Sequence, residues 1–208
     1  QIQNMAYAGL FALKSKVYAY NDLIANCGFY AAALLIGGEY EFYHTTIANY
    51  WGNYSTKARS TSSLVISNVL IIQGSNGSST SYNGDLIKAN FGNSIIFGNS
   101  TQEIELGDNK KNEFNFMFEN CIIQVADTFN TSNKENYKSV WKGPKYDPLF
   151  IDPYKEYNFQ LDTLSPAKDV GKPDYGTQFP LDILTKDRTV DKGPDLGAYE
   201  RIEKKNGK

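Results

Sequence analysis

Five segments of the chain repeat one pattern of apolar and polar positions: VYAYNDLIAN, YEFYHTTIAN, LVISNVLIIQ, KANFGNSIIFG and FMFENCIIQV. In each, apolar residues alternate with others up to a turn residue, and an isoleucine follows three positions later. The turn residues are Asn21, His44, Asn68, Asn93 and Asn120, spaced 23, 24, 25 and 27 residues apart. The isoleucines are Ile24, Ile47, Ile71, Ile96 and Ile123. The alternate positions before the turn are Ala19, Phe42, Ile66, Phe91 and Phe118, then Val17, Tyr40, Leu64, Ala89 and Phe116. All fifteen sites are apolar, where a chain that is 41% apolar would give about six. Period-two alternation places these side chains on one face of a strand, and the intervening Tyr20, Tyr43, Ser67, Gly92 and Glu119 on the other.

A period near 24 residues, with strands on either side of an asparagine and a third short strand, describes one coil of a three-sided parallel solenoid. The pattern therefore predicts an all-β fold, a right-handed parallel β-helix of about five rungs over residues 1–125. The third strands are expected at Leu10–Leu13, Ala32–Ile36, Ser55–Arg59, Thr80–Asn83 and Glu103–Leu106, with longer loops such as Gln73–Gly84 at corners. The turn residues are expected to stack as a structural ladder, with His44 as one member. Ile2 and Asn4 lie 22 residues before Ile24 and Asn26, which places the start of the chain inside an earlier rung and predicts further rungs upstream.

Composition agrees with strands and tight turns: 15 Tyr, 12 Phe and 17 Gly accompany a single His. Twenty-one basic and twenty-three acidic residues leave a net charge of -2, with no basic stripe to neutralise a nucleic-acid backbone. No apolar run approaches the length of a membrane-spanning helix. Cys27 and Cys121 lack metal-site spacing, and four rungs between them place them too far apart for a disulfide. As the only His, His44 cannot anchor a histidine metal cluster.

After Val125 the repeat gives way to a Pro- and Asp-rich segment, residues 126–208, expected to cap the last rungs. Its landmarks are Asp147-Pro148-Leu149-Phe150 with Asp152-Pro153, Phe159 and Leu161. They continue with Ser165-Pro166-Ala167, Asp169, Gly171, Arg188 and Asp195-Leu196-Gly197-Ala198-Tyr199-Glu200. In that order they resemble the closing segment of bacterial surface proteins of the right-handed parallel β-helix repeat or choice-of-anchor Q type. Lys168 departs from that pattern, where an apolar residue is usual. The resemblance implies an extracellular or cell-surface protein, an outer-membrane lipoprotein or one otherwise anchored through a part outside this chain. It implies nothing about activity. Leu149, Phe150, Phe159, Leu161, Leu196 and Tyr199 are expected to cover the last rung. Asp147, Asp152, Asp169, Asp195, Glu200 and Arg188 are read as turn caps and an Arg-carboxylate network, with a calcium site as the second reading and no other cofactor.

β-Helices include polysaccharide lyases and galacturonan hydrolases, and either chemistry would need carboxylates aligned on the outward faces. Lys57 and Arg59 have no acidic neighbour in alignment, Glu103, Glu105 and Asp108 read as surface charge, and no catalytic residue is assigned. Tyr18, Tyr20, Glu41 and Tyr43, with Trp51 in the following turn, form the candidate ligand-binding surface, unless a loop or partner covers it. Asn53, Asn76, Asn99 and Asn130 begin N-glycosylation triplets, and Asp162-Thr163-Leu164 matches an O-glycosylation triplet. Two functions follow. The first is a non-enzymatic surface scaffold or binding module for polysaccharide or another envelope protein. The alternative is a fragment of a polysaccharide lyase or glycoside hydrolase whose catalytic rungs lie upstream.

Overall fold

The computed structural model describes residues 1–52 and 59–203, and the chain is all-β. Among these residues the strands are β1 (Ile2–Gln3), β2 (Ala8–Tyr20), β3 (Leu23–Ala25), β4 (Tyr30–Tyr43), β5 (Thr46–Asn49), β6 (Leu64–Ser67), β7 (Val69–Gln73) and β8 (Ser79–Asn83). They continue as β9 (Leu86–Gly92), β10 (Ile95–Gly98), β11 (Ile104–Gly107), β12 (Met117–Ile123), β13 (Tyr137–Lys142), β14 (Phe150–Asp152) and β15 (Asn158–Leu161). One short helix, α1, spans Pro173–Gln178. No helix among the described residues is long and apolar enough to cross a membrane.

Eleven strands form one sheet in the order β1-β3-β5-β10-β12-β9-β4-β6-β11, with β2 added on β4 and β13 on β12. Every pairing in it is parallel, so consecutive partners are joined by crossovers and not by hairpins. The register divides into three ladders. The first, before the corner residues, joins Ala19, Phe42, Phe91, Phe118 and Tyr137. The second, after the corner, joins Ile2, Ile24, Ile47, Ile96 and Ile123. The third joins Leu10, Ala32, Leu64 and Ile104.

Strands β2, β4, β12 and β13 bend and contribute to two ladders each. The bends and corners lie where the backbone turns left-handed: Lys14 (φ 44°) in β2, Ile36 to Gly38 (65°, 73°, 124°) in β4, Asn120 (50°) in β12 and Ser139 (50°) in β13. Asn21 (54°), His44 (47°) and Asn93 (45°) make the same turn between strands. Asparagine tolerates this region better than other residues with a Cβ, which explains its recurrence at one corner.

The third motif copy is placed differently from the sequence reading. Leu64 and Ile66 pair with Ala32 and Leu34, in the third ladder. Asn68 therefore leaves the corner column, and Ile71 lies in the antiparallel hairpin β7–β8, 58% exposed. Thr80–Asn83 belongs to that hairpin and not to a third strand. From His44 to Asn93 the chain makes one long excursion in which a loop and the hairpin are inserted. The alternation holds in the strands, but an insertion of about one period made one repeat look like two. Of Ser55–Arg59, residues 55–58 lie outside the described residues. The remaining expected strand, near Glu103–Leu106, is β11.

Two cores result. The inner one stacks Ile24, Ile47, Ile96 and Ile123 with Phe42, Phe91, Phe118, Leu64 and Ile104. Flat rings follow one another along the first ladder: Phe42–Phe91 at 5.1 Å, Phe91–Phe118 at 4.9 Å and Phe118–Tyr137 at 5.9 Å. The second core lies on the other face of the second ladder. There Leu23, Ala25, Ala48, Ile95, Phe97 and Ile122 meet Phe150, Phe159, Leu161, Ala167, Leu196, Ala198 and Tyr199 of the C-terminal segment. That segment covers a side of the sheet, whereas the sequence reading placed it over the last rung, and Leu149 is 40% exposed. Cys27 and Cys121 are both buried and free.

Candidate binding face

The corner residues hold the C-terminal segment more than they hold one another. Asn120 donates through Nδ2 to the Val170 carbonyl at 3.1 Å. Asn93 accepts the Lys172 N–H through Oδ1 at 2.7 Å and donates to its carbonyl at 3.1 Å. Asn21 donates to the Leu181 carbonyl and accepts from Arg188 Nη2 at 2.9 Å. Among the described residues one side-chain hydrogen bond runs along the column, with Asn93 Nδ2 3.2 Å from His44 Nε2. His44 is fully buried, and burial followed by the Arg188 charge holds its imidazole well below the ordinary value. Asn68 is buried elsewhere, where its Oδ1 accepts the Asn109 N–H at 2.8 Å.

Residues 170–181 thus form a strap that crosses the corner column in reverse order. It lays α1 and Phe179 over the outward face of the first ladder, where Tyr18 and Tyr20 of β2 stand beside Glu41 and Tyr43 of β4. Four rings follow in succession: Tyr175 is tilted against Tyr43 at 5.0 Å, and Tyr43, Phe179 and Tyr20 stack at 5.4 Å and 4.8 Å. Gly92 makes room, since a Cβ there would lie 2.7 Å from Tyr175 and 2.8 Å from Tyr43. Phe179 is 7% exposed, while Tyr18 and Tyr20 remain 52% and 51% exposed. Part of the candidate surface is therefore covered by the chain's own strap, and Tyr18 and Tyr20 stay open. Gln178 donates to the Tyr18 hydroxyl at 3.1 Å.

The carboxylates on this face are committed. Glu41 pairs with Lys88 at 2.5 Å and accepts the Tyr43 hydroxyl at 3.0 Å, and the Lys88 bond above all holds it below the usual carboxylate range. Glu119 pairs with Lys172 at 3.1 Å and accepts the Tyr175 hydroxyl. Burial pushes Glu119 up, but those two bonds outweigh it and hold the group below its ordinary value. Burial first, and then the carboxylate beside each, raises both phenols, so Tyr43 and Tyr175 are neutral donors at physiological pH.

Trp51 stands apart from this group. It follows β5 at a different corner, next to Gly28, and its carbonyl accepts from Asn99 Nδ2 at 3.1 Å. Glu103 is fully buried and not surface charge. Its Oε1 accepts from Arg59 Nη2 at 2.6 Å and from the Ser100 N–H at 2.8 Å, and its Oε2 accepts the Ser63 N–H at 3.0 Å. The sequence reading missed this pair because Arg59 reaches it from an inserted loop whose course no periodicity reveals. Lys57 lies outside the described residues. Glu105 is exposed, and Asp108 pairs with Lys110 at 2.8 Å.

In the C-terminal segment Arg188 is fully buried. It donates to Glu200 Oε2, the Gly197 carbonyl and the Ala198 carbonyl, each at 3.1 Å. Asp195 accepts the Asp169 N–H at 2.8 Å and the Arg201 N–H at 2.7 Å, while Asp147 and Asp152 accept turn N–H groups two residues on. Backbone N–H groups and Arg188 engage each of these carboxylates, Glu200 through Oε2 alone with its Oε1 left without a partner, and among the described residues no three His, Cys, Asp or Glu side chains converge as metal ligands do. Of the glycosylation triplets, Asn76 sits at the tip of the β7–β8 hairpin, Asn99 and Asn130 are on the surface, and Asn53 lies outside the described residues. Compared with family models, curated proteins and solved structures, the chain finds no match.

Proposed function

We propose that the chain is a non-enzymatic, carbohydrate-contacting scaffold of a bacterial cell surface, built as a right-handed parallel β-helix whose three faces are the three ladders. Parallel crossovers in one sheet are right-handed in nearly all proteins, which supports the hand. The surface location rests on the resemblance of the C-terminal segment. The observation that carries the binding role is the ring stack, which ends in the half-exposed Tyr20 with Tyr18 beside it, both backed by Phe179. Rigid aromatic faces with amide neighbours suit the apolar side of a sugar ring.

Against the hydrolase alternative, glycoside cleavage needs one carboxylic acid raised to donate a proton beside a second that is ionised. Glu41 and Glu119 are both pushed down and lysine-paired, Glu103 is sealed in its ion pair, and Glu200, which burial raises, is buried against Arg188 with no face open to a substrate. The test is incubation of the chain with pectin, alginate and glycosaminoglycans in the presence of calcium, following unsaturated products and new reducing ends, alongside retention on immobilised polysaccharide. Retention without turnover is expected. Sustained turnover abolished by Glu41→Gln or Glu119→Gln would overturn the scaffold reading.

A further inference from the structure

We propose that the middle of the strap, residues 171–179, is an acid-released latch, because Asn93 can grip Lys172 only while His44 is neutral. Lys172 meets both ends of the Asn93 amide, its N–H on Oδ1 at 2.7 Å and its carbonyl on Nδ2 at 3.1 Å. These two bonds fix which way the amide faces, so Nδ2 is the atom that stands 3.2 Å from His44 Nε2. Nε2 is therefore the acceptor, and the neutral ring carries its proton on Nδ1. A second proton would go to Nε2 and set two donors against each other. Turning the amide to offer Oδ1 would break both bonds to Lys172, and leaving it in place would strand a buried charge against a donor.

The strap lies directly on this amide, since a Cβ on Gly171 would stand 2.8 Å from Asn93 Nδ2 and 2.6 Å from the Pro194 carbonyl. His44 is fully buried beneath it, edge-on to Phe179 at 6.4 Å, and its Nδ1 has no partner among the described residues. The two ends of the strap are held separately, Val170 by Asn120 and Leu181 by Asn21, so the middle can lift while the ends stay. Lifting draws Tyr175 and Phe179 off Tyr43 and uncovers the centre of the ring stack.

The groups around His44 set the range of release. Burial and then the Arg188 charge disfavour its protonation in the closed form, and they outweigh the carbonyls of Asp195, Tyr175 and Gly197, which favour it. Once the latch is open the ring returns to its ordinary value of about 6.5. Burial raises Asp195 to about 6 and Glu200 to about 8, and raises Asp22 as well, so protons on these groups favour the closed form and work against release. Glu119 accepts from Lys172 and Tyr175 and is held below its ordinary 4.5, so it loosens the latch only in more acidic solution. Asp182 accepts the Glu200 N–H at 2.7 Å and Asp174 lies 3.9 Å from Lys172 Nζ, so both face groups other than the imidazole.

The experiment is hydrogen exchange of the full chain followed by mass spectrometry at about pH 7.5 and about pH 5, corrected for intrinsic exchange, in residues 171–179 and in β10 as reference. Proton binding to the open form multiplies opening by about 1.1 at the first pH and about 33 at the second. His44→Asn puts at this corner the residue that positions 21, 93 and 120 already hold, cannot take the proton, and keeps every other titrating group. Protection of the strap should therefore fall about thirtyfold more in wild type than in His44→Asn, while β10 holds in both. An excess under about threefold would overturn the latch, and so would an equal fall in β10, which would make the event global. Should His44→Asn not fold, the ring signal of this sole histidine, followed by NMR in wild type, decides. A ring that gains its proton only as strap protection falls bears the latch out. One that titrates near 6.5 while strap protection stays constant would overturn it.

Discussion

Ile95 and Ile96 are neighbours in β10 on opposite faces, and strand alternation alone would give one to the core and the other to solvent. Both are fully buried. Ile96 belongs to the isoleucine column of the inner core, whereas Ile95 is covered by the C-terminal segment, with Gly197 so close that a Cβ there would lie 3.0 Å from Ile95 Cδ1. Ile95→Ala removes three buried carbons, about 2.4 kcal/mol at about 0.8 kcal/mol each, and the cavity left under a tightly laid backbone brings the loss to about 3–4 kcal/mol. For a chain of this size that corresponds to a fall in Tm of about 10 °C. Urea unfolding followed by fluorescence reads it directly, because Trp141 packs against the same cluster. Ile96→Ala should cost a similar amount. If Ile95→Ala stays within about 0.5 kcal/mol of wild type while Ile96→Ala loses several, the outer face of the second ladder is not a core and the placement of the C-terminal segment is wrong.

Glu103→Ala leaves the Arg59 guanidinium buried without its carboxylate, so a loss of about 3–5 kcal/mol is expected in the same unfolding assay, and a loss under about 1 kcal/mol would show that the pair is not sealed. Cys121 is pushed up to about 12 by burial and Cys27 is raised for the same reason, so neither should react with a thiol reagent in the folded chain, and both should react after denaturation. Fast native labelling of either would refute its burial. Burial, together with the neighbouring Asp195, raises Glu200 to about 8 from an ordinary 4.5, so the folded state holds a proton that the unfolded chain has released. Stability should therefore fall as pH rises from about 7.5, a full unit above the ordinary imidazole value, so that His44 is largely neutral in both states, through about 8. Melting curves should show the fall, and Glu200→Gln should flatten it; an unchanged slope in the variant would assign the effect elsewhere.

How much of this was legible in the sequence differs by element. The isoleucine column and the Phe42, Phe91 and Phe118 column were readable because each side chain faces a neighbour of its own kind on the adjacent parallel strand. Asn68 was misplaced because an inserted hairpin of nearly one period mimics a repeat, and nothing local separates the two. The second core did leave a signal that alternation counting passes over. The segments Leu23-Ile24-Ala25, Ile95-Ile96-Phe97 and Ile122-Ile123 are continuously apolar, as strands buried on both faces are. Tyr18, Tyr20, Glu41 and Tyr43 share one face of the first ladder, as strand alternation places them, whereas Trp51 was added through sequence proximity and a corner carries it away. Gln178 and Phe179 could not have been found, since their place depends on how a non-repeating segment returns.

The route of that return follows from lengths. From Asn120 to Asn21 the corner column takes three steps, about 14 Å, and eleven residues separate Val170 from Leu181, which extended would reach about 36 Å. An extended strap would overshoot the column. Coiling six residues as α1 shortens that stretch to about 9 Å and lets Lys172 and Leu181 each meet an asparagine. Pro173 at the first helical position fixes the turn into the helix without wasting a backbone donor, and the helix presents Tyr175 over Gly92. Phe179 follows the helix and falls between Tyr43 and Tyr20. The left-handed corner that makes asparagine the favoured residue also turns its amide toward the passing strap. One backbone requirement thus sets both the course of the ladders and the position of the rings that end at Tyr20.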